Sequence, residues 1–99
     1  MGDYWKAVCH ERKEFIDPGK IGRSGRKLPE VVFGQPCRVI LAYLTASEGW
    51  RGTDVRLVSD TSTDTAADYE RATEEYEDVT AKAIAFFNDR FDVNVERLA

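Results

Sequence analysis

Cys9, His10 and Cys37 are the side chains in this sequence with the strongest nucleophilic or proton-transferring character near neutral pH, and His10 is the one histidine. Cys–His catalysis needs the imidazole within about 3 Å of the sulfur and a third group to orient it. Cys9 and His10 are neighbours in Tyr4–His10, a segment that reads as a strand. Trp5, Ala7 and Cys9 fall on one face, and Tyr4, Lys6, Val8 and His10 on the other. The two cannot meet, which leaves Cys37 with His10 across the fold. A zinc site would want four ligands delivered in closely spaced pairs such as Cys-x-x-Cys, but Arg12 stands where the second cysteine would be. The expectation is two reduced, structural thiols, with no catalytic set, no metal site and no cofactor.

Two other stretches have ligand-like spacing. Asp60, Ser62, Asp64 and Asp68 occupy positions 1, 3, 5 and 9 of a calcium-loop count. Position 6, which needs Gly, is Thr65, and position 12, which needs a bidentate Glu, is Arg71. A hydrated acidic loop is the better account. Between Gly19 and Pro29, three glycines spaced three apart accompany Lys20, Arg23, Arg26 and Lys27. Exposed backbone N–H groups and cations suit a phosphate, although the Gly-Lys-Ser/Thr ending of a P-loop is missing. A basic, solvated loop is expected there, with anion binding through those four cations as the alternative.

The elements that must hold these residues follow from periodicity. Glu14–Asp17 reads as a second strand in a hairpin with the first, ended by Pro18 and Gly19. Pro36 suits the first turn of a helix, and Cys37, Ile40, Leu41 and Leu44 follow at i, i+3, i+4, i+7, with Arg38, Ala42 and Thr45 opposite. Thr53–Ser59 alternates as a strand built on Val55 and Leu57 or on Val58. Residues 60–68 read as a loop, and Tyr69–Tyr76 as either helix or strand. Thr80 is expected to cap a helix running to about Phe91, with Val79 and Ile84 as a hydrophobic staple. Asp92–Ala99 either adds an edge strand or frays. This order implies one α+β domain over 1–99: a small antiparallel or mixed sheet with two helices packed on one face.

Phe86 is out of place in that last helix. At 100° per residue Ile84, Phe87 and Phe91 share a face, whereas Phe86 falls nearly opposite, between Lys82 and Arg90. Either the fold wraps the helix on two sides or Phe86 belongs to an interface. Trp50, between Gly49 and Gly52, poses the same question.

The 99 residues carry 14 basic and 18 acidic side chains, for a formal charge of −4. By surface scaling a chain of this size buries about 65% of its extended surface, sufficient for one modest core. The longest apolar run, Val39–Leu44, is far short of the roughly 20 residues that cross a bilayer, and Met1-Gly2-Asp3 does not open a basic-then-apolar leader. Cytoplasmic location and no membrane partner are expected. Residues 1–58 sum to +3 and 59–99 to −7, with most of the negative charge between Asp60 and Asp78. Such a run disfavours nucleic acid and attracts basic proteins.

Tyr4-Trp5-Lys6-Ala7-Val8-Cys9, Lys13-Glu14-Phe15-Ile16-Asp17-Pro18, the stretch Trp50–Asp60, and Tyr76-Glu77-Asp78-Val79-Thr80 before an apolar helix together resemble a group of small single-domain microbial and phage-borne proteins. That group carries no established activity, cofactor or catalytic residue, so the resemblance implies a structural role for the shared residues. Composition and charge then point to a non-enzymatic, acidic protein-binding module of an inhibitor, immunity or anti-defence kind. Asp64, Asp68, Glu74, Glu75 and Glu77 would steer a partner with a basic surface, Phe86 or Trp50 would anchor it, and the helix carrying Phe86 is also a candidate homodimer contact.

Overall fold

The computed structural model describes residues 5–21, 35–61 and 63–95. Strands β1 (Trp5–Cys9), β2 (Glu14–Ile16), β3 (Val55–Ser59) and β4 (Glu77–Asp78) form one mixed sheet in the order β3-β1-β2-β4. β1 pairs antiparallel with both β2 and β3, and β2 pairs parallel with β4. The hairpin between β1 and β2 turns through His10–Lys13, where Lys13 adopts φ 54° and its N–H donates to the His10 carbonyl at 3.3 Å. Helices α1 (Gln35–Thr45), α2 (Ala66–Glu75) and α3 (Thr80–Phe91) complete the α+β fold.

The strand period of two divides the core. Ala7, Cys9 and Ile16 point to one face and pack with Val39, Ile40 and Tyr43 of α1 and Ala83 and Ile84 of α3. Val8, Phe15 and Val58 point to the other and pack with Ala72 of α2, flanked by Tyr69 and Tyr76. Two helices therefore share one face, as the sequence implies, and the ambiguous stretch Tyr69–Tyr76 falls almost wholly in a third helix, which begins at Ala66 within the expected loop and covers the opposite face. Asp68 belongs to that helix rather than to the acidic loop.

Several local expectations shift. On α1 the buried stripe is Val39, Ile40 and Tyr43, one position away from the expected Cys37-Ile40-Leu41-Leu44 stripe; Leu41 is 55% exposed and Cys37 is only half-buried. Tyr43 sets this rotation, since its large ring fills the corner against Trp50. The α3 N-terminus is capped from Asp78, whose Oδ1 accepts the Thr80 N–H at 2.9 Å and the Thr80 hydroxyl, so Thr80 is the first helical residue and not the cap. Thr80 Oγ1 in turn accepts the Asp17 N–H at 2.8 Å, which fastens the end of β2 to the start of α3. No strand forms over 92–95. Asn88 instead exchanges two hydrogen bonds with the Val95 backbone, at 2.8 and 2.9 Å, and holds the chain against its own helix.

Trp50 is 0% exposed. Its ring meets Tyr43 edge-on at 5.4 Å, its indole N–H donates to Glu14 Oε1 at 2.8 Å, and its backbone N–H donates to the Tyr43 carbonyl at 2.9 Å. A buried indole needs such a partner for its one polar atom. Packing also fixes Gly49, where an added Cβ would overlap the Tyr43 carbonyl and press on its ring, whereas Gly52 faces open space at φ 80°. Gly49→Ala is expected to destabilise the fold by about 2 kcal/mol through overpacking. Gly52→Ala should lose about 1 kcal/mol, from backbone conformation alone. Urea unfolding of both variants checks the order, and a harmless Gly49→Ala would contradict the close approach.

Candidate functional site

The fold separates the residues that sequence alone groups together. Glu74 and Glu75 project from α2 and are exposed, Asp64 is exposed in the turn before it, and Glu77 is exposed on β4. Asp60, Glu70 and Glu74 line a shallow groove there with Tyr69 and Thr73. Phe86 lies across the sheet, on α3, packed edge-on against Tyr43 of α1 at 6.2 Å. The aromatic and the acidic residues thus form no common surface. Trp50 is a core residue, which removes it as an exposed anchor.

Asp68 is half-buried and stands 3.8 Å from His10 Nε2, while His10 Nδ1 lies 2.8 Å from the Tyr76 hydroxyl, with the two rings edge-on. Nearby, Lys6 is buried beneath α2, its ammonium 2.6 Å from Thr73 Oγ1 and about equally close to the Phe15 and Tyr69 rings, at 4.5 and 4.6 Å. Cation–π contact and the hydroxyl offset the desolvation of that charge. These groups tie α2 to the sheet through side chains where its apolar contact is thin. The phenol is within hydrogen-bond reach of the imidazole but the carboxylate at 3.8 Å is not, so the three form no continuous proton relay. Cys9 lies on the opposite face of β1, and Cys37 lines a groove on the α1 side with Ala7 and Leu57, so the fold brings neither thiol to His10. Among the described residues no cluster of His, Cys, Asp and Glu has the composition to hold a metal ion.

Of the four cations proposed for anion binding, Arg23, Arg26 and Lys27 lie outside the described residues. Lys20 is engaged, donating to Asp78 Oδ2 at 2.6 Å. Burial would raise the Asp78 pKa, but the Lys20 and Thr80 hydrogen bonds outweigh it and hold the carboxyl below its usual 3.8. A depressed carboxylate stabilises the fold above its unfolded pKa and loses that contribution as pH falls through its folded pKa. Asp78→Asn should therefore be less stable than the native chain at pH 7 by about 1 kcal/mol. The gap should close as pH drops through and below the ordinary aspartate range, and a gap independent of pH would contradict the pairing.

The surface that sequence reading missed lies between α1 and α3. Arg38, Leu41, Ala42 and Thr45 of α1 face Phe87 and Phe91 of α3 across an open groove of about 600 Å³. It continues into a cleft of about 250 Å³ lined by Ala46, Glu48, Arg51, Phe86 and Arg90. Leu41 and Phe91, at 55% and 54%, are the two most exposed large hydrophobics among the described residues, and both border it. The helical period puts Phe91 on one face with the buried Ile84, but Phe91 lies in the last turn of α3, just before Asp92 closes the helix in a left-handed conformation at φ 54°. Among the described residues lining groove and cleft, Glu48 is the one carboxylate against three arginines.

Beyond the groove, no helix among the described residues is long and apolar enough to cross a membrane. No family model, curated protein or solved structure matches the chain. If Leu41 and Phe91 are surface and not core, Leu41→Ser and Phe91→Ser should each change stability by under about 1 kcal/mol. Ile84→Ala, by contrast, should lose about 2–4 kcal/mol. Chemical denaturation of the three variants distinguishes them, and comparable losses at all three would make the groove part of the core.

Proposed function

We propose that this chain is a non-enzymatic protein-binding module acting in the cytoplasm as an inhibitor, immunity or anti-defence factor, with the groove between α1 and α3 as its contact face. The observation that carries the reading is the convergence of Leu41, Phe86, Phe87 and Phe91 with Arg38, Arg51 and Arg90 on one side of the molecule. Aromatics and arginines are the residue types enriched in binding hot spots, and truncating them typically costs more than truncating their neighbours. Phe86 serves in both capacities, its inner edge against Tyr43 and its outer edge in the cleft. A second reading places a partner's basic surface on the α2 side, favoured by Asp60, Glu70 and Glu74 around one groove.

Affinity capture from extract of the protein's own cells separates the two. A partner held by the native chain should be lost with Phe91→Ser and Leu41→Ser, both still fully folded at the capture temperature, by at least about tenfold in recovery. It should persist when Glu74, Glu75 and Glu77 are reversed to Lys. The opposite pattern would move the contact to the acidic face, and identical recovery by every variant would dismiss both readings.

A further inference from the structure

Resting on the docking role of the α1–α3 groove, we infer that its occupant is an amphipathic helix of another protein, with an apolar stripe flanked by Asp and Glu. Shape gives the first argument. Arg38, Leu41, Ala42 and Thr45 follow one another at i, i+3, i+4 and i+7 and make one wall, while Phe87 and Phe91, at i and i+4, make the other. Two helical walls, with the small Ala42 and Thr45 on one and the large Phe87 and Phe91 on the other, form the kind of trough into which a third helix lays its side-chain ridge. At 1.5 Å per residue, the α1 wall from Arg38 to Thr45 runs about 10 Å, or about two turns of a bound helix.

Charge gives the second. Arg38 stands at one end of the trough, and Arg51 and Arg90 flank its continuation past Phe86, with Glu48 beside them. A guanidinium fork matches a carboxylate in bidentate geometry, so acidic residues bordering an apolar stripe fit these positions and basic ones are repelled. The same criterion disfavours both residues 22–34 and a second copy of this chain as occupants. Residues 22–34 carry Arg23, Arg26 and Lys27 against Glu30. A second copy meeting the groove with its own groove would set arginines against arginines. The acidic α2 of a second copy has the right charge, but its Tyr69 and Ala72, with Tyr76 just beyond its end, already pack against the sheet.

Two synthetic helical peptides test the inference. They share one leucine stripe at i, i+3, i+4 and i+7 and differ only in flanking residues, all Glu in one and all Lys in the other. Each is titrated into the isotopically labelled full chain and followed by amide shifts. The Glu peptide should shift Ala42, Thr45, Phe87 and Phe91 and bind at least about tenfold tighter than the Lys peptide at about 0.05 M salt, the ratio shrinking at about 0.5 M. Reversing Arg51 and Arg90 to Glu, with folding confirmed by circular dichroism, should invert the preference. Equal binding at the groove, or tighter binding of the Lys peptide, would overturn the acidic-partner inference and leave the docking role standing. Absence of groove shifts with either peptide would overturn both. A concentration-dependent dimer in sedimentation that Phe91→Ser abolishes would make a second copy the occupant and overturn the inference as well.

Discussion

The fold depends on covering both faces of β1. This strand is central, paired on each edge, and its Ala7 and Cys9 on one face and Lys6 and Val8 on the other are all buried. Because Val8, Phe15 and Val58 make the second face of the sheet apolar as well, helices lie on both sides. α1 and α3 supply the larger apolar layer and α2 the smaller. Because α2 contributes little apolar area, it is held by polar groups as well: the Lys6 ammonium against Thr73 and two rings, and His10 against Tyr76 and Asp68.

That layering also sorts the charge. The acidic run between Asp60 and Asp78 becomes α2 and its flanking turns on one side of the sheet. The arginines at 38, 51 and 90 end up around the aromatic trough on the other. A molecule of net charge −4 therefore presents its most exposed apolar residues within a locally positive rim. For recognition the local arrangement matters more than the sum, because a screened charge more than about 10 Å away contributes little at a contact.

Rigidity around the trough comes from behind it. Trp50, Tyr43 and Glu14 link the turn after α1 to the sheet through ring contact and a hydrogen bond, and Gly49 permits the backbone to close against Tyr43. At the other end Asp78, Thr80, Asp17 and Lys20 join β2 to the start of α3 by four hydrogen bonds. Both walls of the trough are thus anchored to the same hairpin, and a preformed groove spares a partner the ordering of the surface it meets.

Local pattern alone determined much of this. The β1–β2 hairpin, the strand at Val55–Ser59, the helices beginning near Pro36 and Thr80, and the α+β class all follow from periods of two and 3.6 and from turn residues, which act over a few neighbouring positions. Tertiary structure decided what periodicity cannot rank. The thin stripe of Tyr69, Ala72 and Tyr76 became a helix because the second face of β1 required cover. The α1 stripe turned by one position because Tyr43 had a corner to fill beside Trp50. Trp50 went inside because Glu14, 36 residues away, accepts its N–H. Leu41 and Phe91 stayed outside because neither the sheet nor a neighbouring helix among the described residues reaches that edge of the bundle. Each of these outcomes turns on which distant surface a side chain meets, and spacing along one segment carries no information about that.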